Sequence, residues 1–125
     1  MRKLGRLSAT EMEVMQKIWE LPTPVTVVQL LNTFEKIKDW KTSTLSTILT
    51  RLIEKGFLTK EMHGKVNFYD TNLSLEEYKK HETQNLLTTL YGGNVKNFVA
   101  TLVDGENITK DDINDLKKWF ENNTH

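Results

Sequence analysis

The chain has 125 residues, a length that suits one compact domain or a small domain with a helical appendage, and that leaves no room for two independent cores. It contains no cysteine, which excludes disulfides, thiolate metal sites and cysteine nucleophiles together and fits a reducing cytoplasm. Its 17 basic and 17 acidic residues cancel, but residues 1–71 carry 11 Lys or Arg against 8 Asp or Glu, and residues 72–125 carry 6 against 9, so the front is slightly basic and the back slightly acidic.

The amino terminus, Met1 to Leu7, is charged and is followed by no apolar stretch of signal-peptide length. No run approaches the roughly 20 apolar residues of a membrane span, so a soluble cytoplasmic protein is expected. Ser8-Ala9-Thr10-Glu11 has the form of a capping box, in which the serine accepts from the N3 amide and the glutamate reaches back. Met12, Met15, Ile18 and Trp19 follow at helical spacing, as a core stripe, and Leu21-Pro22-Thr23-Pro24 stops the helix. A second helix starts at Thr26 with Val27, Leu30, Leu31 and Phe34 on one face, and gives way near Lys36-Ile37-Lys38-Asp39. A third runs from about Thr42 to Lys55, with Leu45, Ile48, Leu49, Leu52 and Ile53 as its apolar face and Gly56 as a left-handed terminator.

Two extended runs come next, Phe57 to Met62 and Val66 to Thr71, rich in β-branched and aromatic residues and separated by His63-Gly64-Lys65. They read as a β-hairpin. Three short helices followed by a hairpin is the winged-helix order, and the turn is the candidate wing. Ser74-Leu75-Glu76-Glu77 then opens a helix with Tyr78, Leu86, Leu87, Leu90 and Tyr91, broken by Gly92-Gly93. A fifth helix carries Val95, Phe98, Val99, Leu102 and Val103. The last, capped by Thr109 with Asp112 three residues on, uses Ile113, Leu116, Trp119 and Phe120. The expected fold is mainly α with a small β-hairpin: a winged helix-turn-helix domain over 1–71, then a helical dimerisation region over 72–125.

The third helix carries the informative constellation. Opposite its apolar stripe stand Ser43, Thr44, Ser46, Thr47 and Thr50, then Arg51. These are middling helix formers, so helix stability alone does not explain them. Small hydroxyl side chains let a helix sit deep in the major groove, where they meet base edges and phosphates and set threonine methyls against thymine methyls. The amino-terminal part of such a helix meets the bases, which marks Ser43, Ser46 and Thr47 as base-edge candidates. Lys41, Arg51 and the wing residue Lys65 are phosphate candidates, with Thr42 at the helix start.

These residues resemble the bacterial family of penicillinase, methicillin-resistance and copper-transport repressors. The resemblance is carried by Leu7 to Met15 with Ile18-Trp19, by Asp39-Trp40, by Thr44, Thr47 and Arg51-Leu52-Ile53-Glu54-Lys55-Gly56, and by Gly64-Lys65 and Tyr69. It implies a homodimer whose winged helices read an inverted repeat of TACA/TGTA half-sites in double-stranded DNA while carboxy-terminal helices interlock. Family recognition positions fall on Ser43, Thr44, Ser46, Thr47 and Arg51, although Lys41-Thr42 stands where a Ser-Pro entry is common. Members that answer β-lactams are cut at an Asn-Phe bond in the dimerisation region. Here Thr101-Leu102 stands at that position and Asn97-Phe98 lies one helical turn earlier. Copper-responsive members carry a cysteine-rich tail, which this chain does not have, although Val95 to Val103 is closer to the copper branch.

Tyr91, Val95, Phe98, Val99, Leu102, Val103, Leu116, Trp119 and Phe120 are the expected dimer contacts, the alternative being that they pack back on their own domain. His63, His81 and His125 show no ligand spacing, so no metal or other cofactor is expected. Without a glycine-rich phosphate loop, a clustered acid-base pair or a metal motif, an enzyme is not expected. The competing function is a winged helix used for protein interaction without DNA contact. The signal ending repression, whether an inducer, a protease or a partner, is left open by the sequence.

Overall fold

The computed structural model describes residues 4–34 and 38–123. Lys36-Ile37, at the expected end of the second helix, and His125 lie outside the described residues. The chain divides into two compact units, Met1–Tyr78 and Lys79–His125. The elements follow in the expected order: α1 (Ala9–Glu20), α2 (Val27–Phe34), α3 (Thr42–Glu54), β1 (Leu58–His63), β2 (Val66–Thr71), α4 (Leu75–Tyr91), α5 (Val95–Asp104) and α6 (Lys110–Asn123).

Each helix of the first unit begins or ends where its sequence provides a partner for the orphan backbone groups. At α1 the box closes in both directions: Glu11 N–H donates to Ser8 Oγ at 3.2 Å, and Ser8 N–H to Glu11 Oε1 at 2.8 Å. Thr26 and Gln29 do the same for α2, a reciprocal pair not anticipated from the sequence. α3 ends in a Schellman motif, with Gly56 N–H donating to the Ile53 carbonyl and Phe57 N–H to the Leu52 carbonyl. Gly56 sits at φ 91°, a conformation that costs a side-chain-bearing residue energy and glycine little.

The core of the first unit is one cluster. Val14, Met15 and Ile18 come from α1, Leu30 and Phe34 from α2, and Leu45, Ile48, Leu49 and Leu52 from α3; Val25, Phe57, Leu58, Tyr69 and Tyr78 complete it. Met12 and Trp19 of the expected core stripe are half-buried against it, and Val14 belongs to it although the stripe omitted it. Full burial of a leucine such as Leu49 contributes on the order of 2–3 kcal/mol before entropy is counted.

β1 and β2 pair antiparallel, with Leu58 opposite Thr71 and His63 opposite Val66. His63 therefore belongs to the strand, and the connection is the two-residue turn Gly64-Lys65. Gly64 at φ 65° supplies the positive angle that such tight hairpins need. A third, one-residue strand joins them: Val25 N–H donates to the Tyr69 carbonyl at 2.8 Å and Tyr69 N–H to the Val25 carbonyl at 2.7 Å. That short bridge ties the stretch before α2 to the hairpin.

The first unit runs past Thr71, the boundary expected from the sequence, as far as Tyr78. The physical reason is aromatic. Tyr78 stacks near Trp19, with ring centroids 5.2 Å apart, and meets the Phe57 ring edge-on at 5.5 Å, while Trp19 Nε1 donates to the Leu73 carbonyl. The first turn of α4 is thereby part of the core.

Within the second unit, Asn94 caps α5 through the Asn97 amide, and Thr109 and Asp112 cap α6 reciprocally. Backbone and hydroxyl donors of Thr109 hold the Asp112 carboxyl below the usual carboxylate range. Neither α5 nor α6 buries a residue.

Candidate nucleic-acid interface

α3 is oriented by its buried stripe. With Leu45, Ile48, Leu49 and Leu52 turned into the core, the opposite face carries Ser43, Thr44, Thr47, Thr50 and Arg51, all exposed, and Ser46, half-buried. Lys41 and Thr42 at its start are exposed as well. The structure brings these residues onto one surface of one helix.

Two features distinguish this helix. Its N-cap is Lys41, which makes no side-chain cap hydrogen bond, whereas Ser8, Thr26, Ser74, Asn94 and Thr109 all cap their helices. The amino-terminal amides of α3 are thus left to solvent or a ligand, and a lysine adds positive charge to the positive end of the helix dipole. The second feature is how the hydroxyls are used. Thr47 Oγ1 donates to the Ser43 carbonyl at 2.9 Å and Thr50 Oγ1 to the Ser46 carbonyl at 3.0 Å. Ser43, Thr44 and Ser46 make no side-chain hydrogen bond among the described residues.

The hairpin flanks the end of this helix through the Schellman turn. Asn72 secures the junction: its side-chain amide donates to the Gly56 carbonyl at 3.0 Å and its backbone N–H to the Phe57 carbonyl at 2.9 Å. Lys65 lies at the exposed tip, with His63 beside it. His63 contacts the Phe68 ring at 5.4 Å and lies 3.5 Å from Glu61. Burial pushes the Tyr69 phenol upward, partly offset by a hydrogen bond from Asn67, so Tyr69 stays neutral as a core residue.

Net charge does not mark the interface. Counted over the structural units, the first has 11 basic and 10 acidic residues and the second 6 and 7, so most of the asymmetry seen at residue 71 disappears. Pairing marks it better. Lys17 pairs with Glu20, Lys38 with Glu13 and Lys55 with Glu11. Among the described residues of the first unit, the cations without an ion pair are Arg6, Lys41, Arg51, Lys60 and Lys65, four of which lie on α3 or the hairpin and its approach. Lys60 was not singled out from the sequence. Its signal, an exposed cation in a strand that buries only its first residue, is common to many solvated strands.

Lys55, the C-cap of α3, shows why a cation next to this helix does not suffice. Its ammonium turns away from the hydroxyl face to Glu11 Oε1 at 2.5 Å and the Arg6 carbonyl at 2.7 Å. Glu11 is only 3% exposed. Burial pushes its carboxyl up, but hydrogen bonds and charge from Lys55, with the Ser8 donors, outweigh this and hold its pKa below the usual carboxylate value.

In the second unit the expected dimer contacts form no core of their own. Val95, Val99, Val103, Leu116, Trp119 and Phe120 are exposed, Trp119 by 56%, and Tyr91, Phe98 and Leu102 are half-buried. Leu90, at 69%, is more exposed than any of them and was not among those expected contacts. Tyr91 meets Phe98 edge-on, as Trp119 meets Phe120. Both Asn97-Phe98 and Thr101-Leu102 lie inside α5. His81 sits beside Glu82 at 3.7 Å, and among the described residues no three His, Cys, Asp or Glu are grouped to hold a metal. No helix among them is long and apolar enough to cross a membrane.

Comparison with known proteins gives a consistent result. The family model described as penicillinase repressor matches residues 7–122. A penicillinase repressor of Bacillus licheniformis is 27% identical over 97% of this chain and 94% of its own length. The methicillin resistance regulatory protein MecI of Staphylococcus aureus is 27% identical over 92% of this chain and 93% of its own. Among solved structures, the DNA-binding domain of the repressor BlaI superposes with a TM-score of 0.53 at 32% identity, covering 62% of this chain and 94% of that one. The monomeric form of Bacillus licheniformis BlaI in complex with the blaP half-operator gives 0.51 at the same identity and coverage. The hairpin-and-three-helix unit is therefore the winged helix anticipated from the sequence, and the chain belongs to the penicillinase repressor family, whose members are DNA-binding repressors and not enzymes.

Proposed function

We propose that this chain is a homodimeric transcriptional repressor in which α3 enters the major groove of an inverted-repeat operator of the TACA/TGTA type. The first unit is the reader and the helices of the second hold two copies together. The observation that carries this reading is the α3 surface: an exposed hydroxyl face, an uncapped amino terminus at Lys41, and Arg51 without an ionic partner. In it, Ser43, Thr44, Ser46, Thr47 and Thr50 approach base edges, while Lys41, Thr42, Arg51 and Lys65 fix the helix and wing against the backbone. The half-operator complex of the BlaI relative supports the choice of DNA as partner.

Homodimerisation rests on the exposed apolar residues of α5 and α6. A symmetric pair of winged helices matches an inverted repeat, with half-sites spaced by about 10 base pairs or a multiple of it. The test is a gel-shift titration on a TACA/TGTA palindrome beside a scrambled duplex at physiological salt. Retardation of the palindrome at tenfold or more lower protein concentration is expected. Equal affinity for both would sink the sequence-specific reading.

A further inference from the structure

The hydroxyl face of α3 is chemically divided. Thr47 and Thr50 have already committed their hydroxyl protons to the Ser43 and Ser46 carbonyls one turn back. A threonine so bonded lays its oxygen against its own helix and leaves its methyl as the outward group. Thr47 and Thr50 are three residues apart, so these two methyls neighbour one another on the exposed surface. Ser43 and Ser46, lacking a methyl, have no such group to offer.

We propose that Thr47, with Thr50 beside it, reads DNA through its methyl group and is thereby a specificity determinant for thymine. The inference rests on α3 being the recognition helix and goes further, by assigning the chemistry of the contact. In the major groove thymine alone among the four bases presents a C5-methyl group, and an apolar side-chain methyl is its complement. A hydroxyl facing the base would favour hydrogen-bonding edges instead. Here donation to a base acceptor would first require the intrahelical bond to be broken, which leaves the oxygen able only to accept.

The experiment uses the full-length chain and a duplex recovered by repeated selection from a random-sequence pool, so the operator need not be assumed. A second duplex replaces each thymine in the selected site by uracil, which removes the methyl and retains base pairing. Anisotropy titrations compare wild type, Thr47→Val, Thr47→Ser and Thr50→Ser. Each lost methyl contact should weaken binding about fourfold, the equivalent of burying roughly one methylene. Wild type is expected to prefer the thymine duplex. Thr47→Val, isosteric and still bearing methyls, should keep both affinity and preference. Thr47→Ser should bind more weakly and show a reduced preference, because hydroxyl and fold remain while the methyl is gone; Thr50→Ser should show a smaller reduction.

A Thr47→Val protein that melts like wild type yet loses binding, beside a Thr47→Ser protein that binds normally, would assign the contact to the hydroxyl and overturn the proposal. Equal binding of thymine and uracil duplexes by wild type would also overturn it, while leaving sequence-specific DNA binding intact. Failure of selection to enrich any sequence would instead remove the recognition-helix reading, and this inference with it.

Discussion

In the first unit α1 and α3 each bury four residues, whereas α5 and α6 of the second unit bury none, although their sequences are no less amphipathic in pattern. The first unit buries most of its large apolar side chains within one chain, through a cluster that draws on three helices, two strands and the start of α4, although Val28 and Met62 stay 63% exposed. The second leaves Leu90, Val95, Trp119 and Phe120 more than half exposed. Periodicity in a sequence reports that a face is apolar. It does not report whether the covering surface belongs to the same chain.

That contrast can be broken experimentally. The largest effect is expected in the first core: Leu49→Ala should cost about 3 kcal/mol of unfolding free energy, read by urea denaturation. A cost below 1 kcal/mol would mean that the cluster is not the stabilising centre. Next, Val99→Asp should weaken self-association by about 2 kcal/mol and move the chain toward monomer in sedimentation at micromolar concentration. A wild-type chain already monomeric there would show that α5 needs no partner.

The ion pair at the end of α3 sharpens the picture of the first unit. Because the folded Glu11 pKa is lowered, its stabilisation is complete above the ordinary carboxylate value of about 4.3 and is lost as pH falls through the lower folded value. Glu11→Gln should therefore cost about 2 kcal/mol at pH 7 and progressively less in acid, measured by parallel denaturations. A gap unchanged at pH 3 would show that the charge is not what stabilises. The smallest effect belongs to the wing: Lys65→Ala should reduce the salt slope of DNA binding by about one and leave base preference unaltered.

Much of this was legible in the sequence because it is local. The Ser8/Glu11 and Ser74/Glu77 boxes, the stripes of α2 and α3, Gly56 and the Gly64-Lys65 turn are set by residues within a few positions of one another. The hydroxyl row of α3 was visible for the same reason, and the structure adds which of its hydroxyls are already spoken for. The Val25–Tyr69 bridge, the Glu11–Lys55 pair and the Trp19–Tyr78 contact each join positions more than 40 residues apart and leave no period behind. The first compact unit runs past Thr71, to Tyr78, for that reason. A hairpin end looks like a domain end until an aromatic ring from the next helix is seen to fill the core.

The turn from α3 into β1 has one more consequence. Two Schellman bonds and two bonds from Asn72 leave the segment from Leu52 to Leu58 little freedom, so helix and hairpin form a caliper whose opening is set before any ligand arrives. A reader built this way loses little conformational entropy on binding. On the proposed reading it would also widen little to suit its target, so a mismatch between the caliper and a groove would be met by bending or twisting the DNA. Sites differing only in base pairs that no side chain touches would then be told apart by their stiffness.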